Sequence, residues 1–123
     1  MNVLLYLSEG NEKTAIRLLD AVRTVVSGHL LEILRDYQKL TVRLNKLPQE
    51  ISMGVFLTQS RDQLLELITL RSVMEDIRTI LIIPDDENVT IALGHLLRPT
   101  LLTSVDAEAN FADVAAVLAK CIG

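Results

Sequence analysis

Short apolar runs, each cut off by turn-forming residues and followed by a stretch with helical spacing, recur along this chain, and no other feature restricts its fold as strongly. Residues 2–8 (NVLLYLS), 51–58 (ISMGVFLT), 79–83 (TILII) and 100–105 (TLLTSV) are such runs. A strand covered on both faces has no polar side to show, so it reads as a continuous apolar run rather than an alternating one. The run at 79–83 is the clearest, being rich in β-branched residues and stopped by Pro84 and two aspartates. Between the runs the period changes. Over residues 12–26, Ala15, Ile16, Leu19, Val22 and Val26 share one helical face, Asn11 is a good N-cap, and Glu12 suits the positive end of the dipole. Ser27-Gly28 stops that helix, with Gly28 expected in the left-handed position that follows a helix end. Residues 61–76 place Leu64, Leu65, Ile68, Val73 and Ile77 inward, residues 87–97 form a further helix broken at Arg98-Pro99, and residues 110–122 form the last.

Residues 29–47 read two ways. Leu30, Ile33, Tyr37, Leu40, Leu44 and Leu47 fit one long helical face, while the order of the whole chain favours a short strand near residues 31–34 followed by a helix over 36–47. Strands alternating with helices imply a parallel sheet with helices on both faces, and right-handed crossovers leave few topologies. The expected fold is therefore α/β: a three-layer α/β/α arrangement around a parallel five-stranded sheet in the flavodoxin-like order 2-1-3-4-5, with strand 2 the uncertain member. The sequence has no internal repeat, linker or low-complexity tract, so residues 1–123 are expected to be a single domain.

Composition narrows the function. Half of the residues are hydrophobic and only 3% aromatic, so the core must be built from Leu, Ile, Val and Ala. A net charge of -4 with Lys and Arg scattered singly argues against direct nucleic-acid binding, which needs clustered positive charge. Cys121 is the one cysteine, so no internal disulfide can form; a cytoplasmic setting is the natural expectation. No apolar stretch approaches the roughly 18–20 residues of a membrane span, and the first apolar run is too short for a signal sequence.

The opening MNVLLYLSEGN, a buried strand running into an acidic loop, is similar to the start of a response-regulator receiver domain. The length of GHLLEILRDYQKLTVRLNKLP (28–48), the segment ALGHLLRPTLLTSVD (92–106) and the closing NFADVAAVLAKCIG (110–123) resemble that family in order and spacing over nearly the whole chain. The resemblance implies a two-component signalling module. Receivers hold an acidic pair at the end of strand 1, a phosphoacceptor aspartate at the end of strand 3, a Thr or Ser after strand 4 and a Lys after strand 5. The matching positions here are Leu7 and Ser8 with Glu9 beside them, Val55 or Phe56 (Gly54, Leu57 or Thr58 with a register error), Ile83 or Pro84, and Thr103 or Ser104. Phosphoryl transfer to a carboxylate needs the carboxylate, and a cation to offset the phosphate charge. An apolar side chain supplies neither, so the expectation is a pseudo-receiver: no catalytic residue, not an enzyme, no cofactor, no bound metal.

Other residues carry competing readings. Glu9, Asp85, Asp86, Asp106 and Glu108 fall at the carboxyl ends of strands, where hard cations find oxygen ligands, but no two match a metal spacing. They read as a solvated rim that supplies N-caps, notably Asp85 or Asp86. Ser8-Glu9-Gly10-Asn11 with Thr14 resembles a flavodoxin phosphate loop, the basis of the rival reading as a small flavodoxin-like ligand- or cofactor-binding protein. Glu9 and Glu12 would repel a phosphate there, and strands 3 and 4 are followed by no Trp or Tyr to stack on a flavin. His29 and His95 read as structural, and Cys121 as a buried small hydrophobe. The helix at 87–97 (Val89, Ile91, Leu93, Leu96, Leu97) and the last helix (Phe111, Val114, Ala115, Val117, Leu118, Cys121, Ile122) are apolar over a wide arc. The candidate interface is therefore Val89, Leu93, Leu96, Leu97, Phe111, Val114, Val117, Leu118 and Cys121. The expected partner is a protein or a second copy, giving a dimer, with no membrane contact.

Overall fold

A computed structural model describes residues 2–106 and 111–122. Five parallel strands, β1 (Asn2–Leu7), β2 (Leu31–Leu34), β3 (Ile51–Leu57), β4 (Arg78–Ile83) and β5 (Leu101–Ser104), form one sheet in the order β2-β1-β3-β4-β5. The helices are α1 (Glu12–Arg23), α2 (Tyr37–Asn45), α3 (Arg61–Ile68), α4 (Arg71–Met74), α5 (Asn88–His95) and α6 (Ala112–Ile122). The expected sheet order and layering hold, including a strand at 31–34 rather than one long helix. Tyr37 begins α2 after Asp36, whose carboxylate accepts from the Gln38 N–H at 2.7 Å. An N-cap there separates strand from helix, which the apolar spacing alone could not do.

Alternation of side chains along the central strands builds two cores. Val3, Leu5 and Leu7 of β1, with Met53, Val55 and Leu57 of β3, face α1 and α6. Leu4 and Tyr6, with Phe56, Leu81 and Ile83, face the layer made by α2, α3, α4 and α5. Both faces are covered, which explains why these strands read as unbroken apolar runs. Burying one Leu, Val or Phe side chain stabilises by about 1.5–3 kcal/mol, so these strands carry the fold. Phe56 is fully buried and its ring lies back over Gly54, where a Cβ would come within 2.7 Å of Phe56 Cζ.

Several expected details change. The 61–76 segment is two helices, with Leu67, Leu70 and Met74 inward and Leu65 outward, because the chain turns at Thr69–Leu70. On α1 it is Leu18, not Ile16, that packs inward, while Asn11 caps the helix as expected by accepting from the Lys13 N–H at 2.9 Å. Gly28 begins a 3₁₀ turn (Gly28–Leu30) and shows no positive φ. The left-handed backbone falls instead on Leu47, Arg98 and Phe111. Leu47 is held by Arg43, which also binds Glu32 of β2 through two guanidinium contacts of 2.7 and 3.0 Å. The start of the last expected helix, Asn110, lies outside the described residues, as does Glu108.

Candidate functional site

In an open parallel sheet the carboxyl ends of the strands are where ligands and chemistry collect, because loops there diverge to opposite faces. Here the strand ends are Leu7, Leu57, Ile83 and Ser104, with Leu7 paired to Leu57, Leu57 to Ile82, and Ile83 to Ser104. Val55 and Phe56 lie inside β3, fully buried in opposite cores, so the end of that strand belongs to Leu57 and Thr58, two residues later. Thr58 is fully buried, and both its N–H and its hydroxyl donate to the Ile82 carbonyl, at 2.9 and 2.8 Å. Leu7 and Ser8 are buried and Glu9 is exposed. Ile83 is buried, Pro84 and Thr103 are half-buried, and Ser104 is buried. Ser8 Oγ has no hydrogen-bond partner.

Two glutamines, which sequence reasoning missed, close this edge. Gln59 follows β3. Its carboxamide donates to the Ser8 carbonyl at 3.2 Å and accepts from the Asn11 N–H at 2.9 Å. Gln63, on the first turn of α3, donates to the Glu9 carbonyl at 2.7 Å and accepts from the Gln59 N–H at the same distance. The loop after β1 is thus latched to the loop after β3 by neutral amide groups. Gly10 takes φ +152°, and any Cβ there would meet the Gln59 side chain at 2.7–2.9 Å. The Asn11 N–H that a flavodoxin-type phosphate loop would offer is already taken by Gln59.

The β4 side is tied in a similar way. Arg61, at the start of α3, donates to Glu87 at 2.9 Å and to the Thr90 hydroxyl at 3.0 Å. Asp85 accepts from the Glu87 N–H at 3.0 Å, forming a turn ahead of α5 rather than an N-cap. A hydrogen bond from Thr90, then the Glu87 N–H and the nearby Arg61 charge, hold its carboxyl below the usual carboxylate range. Among the described residues no three His, Cys, Asp or Glu side chains are close enough to share a metal ion.

The expected interface is reduced by the fold. Leu97, Phe111, Val114 and Leu118 are core residues: in α6 the 114 and 118 positions point at the sheet. Leu93, Val117 and Cys121 are half-buried against the same cores, which is why the apolar arc of α6 read as wider than one sheet face requires. Val89 and Leu96, 59% and 48% exposed, remain as apolar surface on α5. Ile91 and His95, not these two, lie beside the edge strand β5, in which Leu101, Leu102 and Thr103 are half-covered. His95 is exposed at the end of α5, and His29 is exposed in the 3₁₀ turn. No helix among the described residues is long and apolar enough to cross a membrane.

The crystal structure of a response regulator from Thermotoga maritima superimposes on this chain with a TM-score of 0.63. The likeness covers 99% of this chain and 98% of that one, at 10% sequence identity. The chain has the receiver fold. No family model matches the sequence, and no curated protein matches it. At so low an identity the likeness extends to the path of the backbone, and the residues at the strand ends must be judged on their own chemistry. In this receiver-fold chain they are Leu7-Ser8, Leu57-Thr58, Ile83-Pro84 and Thr103-Ser104, where no carboxylate or lysine stands.

Proposed function

We propose that this chain is a non-catalytic signalling module, a pseudo-receiver that acts through protein contacts and is not switched by aspartyl phosphorylation. The observation that carries the reading is the end of β3. A phosphoacceptor there would need a carboxylate open to solvent, and the chain offers Leu57 and Thr58, both fully buried. A phosphoryl group has no acceptor at that position and no cation-holding acidic pair beside it. Apart from Ser8 Oγ, the amides and carbonyls joining the first and third loops at this edge are occupied with one another, which favours a fixed arrangement over a two-state one. What the module offers a partner is the outer side of α5, where Val89 and Leu96 stand exposed and Leu93 adds a half-buried flank. Apolar surface of this kind contributes roughly 25 cal/mol per Å² before ordering costs.

Incubation with acetyl phosphate followed by intact-mass measurement tests the first half. The expected spectrum shows no gain of a phosphoryl group; a stable adduct mapped to an aspartate would overturn the reading. Light scattering on the chain and on a Val89→Asp/Leu96→Asp variant tests the second half, with the variant expected to lose self-association or partner binding while retaining its circular dichroism.

A further inference from the structure

Beside the latched edge lies a cleft of about 460 Å³ over the carboxyl ends of β2, β1 and β3, a volume typical of small-ligand sites. Its position is the one where open α/β sheets bind ligands. The chain leaves β1 toward α1 on one face and β3 toward α3 on the other, and the cleft lies next to that divergence, between the start of α2 and α3, with Glu9 and Gln63 at its rim. Tyr6 lines it from β1 and Tyr37 from the start of α2. Glu9, Asp36 and Glu66 line it as well, against a single guanidinium, Arg35, which is engaged by Glu12.

Tyr6 is the feature that points to a ligand. The residue is 5% exposed and lines this cleft, its hydroxyl oxygen is not among the fully buried atoms, and no protein group among the described residues hydrogen-bonds to it. A nearly enclosed phenol whose hydroxyl has no protein partner leaves that group to water or to a ligand in the cleft. Tyr37, by contrast, hydrogen-bonds the Glu66 carbonyl at 3.2 Å and the Thr69 hydroxyl at 2.8 Å, so its ring is held in place as a wall. We propose that this cleft binds a small organic polyamine, whose ammonium groups meet the separated carboxylates of Glu9, Asp36 and Glu66 and the Tyr6 hydroxyl.

Charge and spacing select that ligand class. Three carboxylates against one neutralised guanidinium make the cleft negative. Burial, and then the charges of Glu66 and Asp36, push the Tyr6 phenol up to about 12, so it stays protonated and neutral beside a cation. The carboxylates do not converge, since no three acidic, His or Cys side chains among the described residues could ligate one metal ion. Dispersed carboxylates with aromatic walls between them suit a chain of methylenes carrying amines at intervals, where each ammonium finds an oxygen and the rings cover the hydrocarbon. The site is separate from the phosphorylation question, and its test can fail without affecting that reading.

The sequence contains two tyrosines and no tryptophan, and both tyrosines line the cleft. Tyrosine emission of the whole chain therefore reports on this one place. Titration with spermidine, followed by tyrosine fluorescence and by calorimetry, is expected to give a saturable one-site change that Mg²⁺ at matched ionic strength does not reverse. Glu66→Gln removes one carboxylate that makes no hydrogen bond among the described residues, and should weaken binding about tenfold. Tyr6→Phe should weaken it severalfold with unchanged circular dichroism. Absence of a saturable change at millimolar spermidine would overturn the proposal. So would equal reversal by Mg²⁺, or equal affinity in wild type and both variants, either of which would mark a diffuse counter-ion effect.

Discussion

Gly10→Ala is the substitution whose cost is best defined by the latch. At φ +152° an L residue occupies a backbone region reserved almost wholly to glycine, which costs about 1–3 kcal/mol. The new Cβ would also lie 2.7–2.9 Å from Gln59, so that side chain must move. Its carboxamide makes two hydrogen bonds, to Ser8 and Asn11, each contributing about 0.5–1.5 kcal/mol net, with the lower half of that range apt for the solvent-facing Asn11 contact. Against this, alanine reduces the entropy of the unfolded chain by about 0.4–1 kcal/mol. The balance is a loss of about 2 kcal/mol, or roughly 6–10 °C in Tm for a domain of this size. Urea denaturation of the single variants and of Gly10→Ala/Gln59→Ala measures it. In the Gln59→Ala background the same glycine change should cost about 1 kcal/mol less, because the steric partner and its bonds are already gone. A Gly10→Ala midpoint equal to or above wild type would refute the strained turn. Identical costs in the two backgrounds would refute the latch.

Ser8→Ala should be neutral or raise stability by about 1 kcal/mol in the same assay, since it deletes a buried hydroxyl that has no partner. Gly54→Ala should cost about 1–3 kcal/mol by forcing a Cβ into the buried Phe56 ring, and a Phe56→Leu background should recover part of it. The Arg43 hydrogen bonds hold Glu32 below its ordinary carboxylate range. Because the folded value is depressed, this stabilisation is complete above the unfolded value near 4.3 and fades as pH falls through the folded one. Arg43→Met should therefore lower urea midpoints at neutral pH by more than it lowers them in strong acid.

Much of this architecture is legible in the residues alone. The central strands announce themselves because both their faces are covered, and Pro84 and the Glu9-Gly10-Asn11 turn mark where two of them stop. β2 is ambiguous for the opposite reason: as a half-covered edge strand it retains too mixed a pattern to exclude a helix. That no acidic residue ends β3 is also readable, although the strand runs on to Leu57, past Val55 and Phe56. The latch is not readable, because Gln59 and Gln63 reach residues about fifty positions earlier, and a glutamine pair after a strand carries no local signal. The apolar arc of α6 overstates its free surface, because Val117 and Cys121 widen it while still packing on the core. Burial depends on what the neighbouring helix covers, and periodicity does not report that.

The bonds joining the first and third loops run between amides and carbonyls that carry no formal charge. Screening by salt and protonation by mild acid act on charges, so neither has much purchase on this join, unlike the Arg61–Glu87 pair beside it. Conditions that would loosen an ion-bridged join leave these two loops tied.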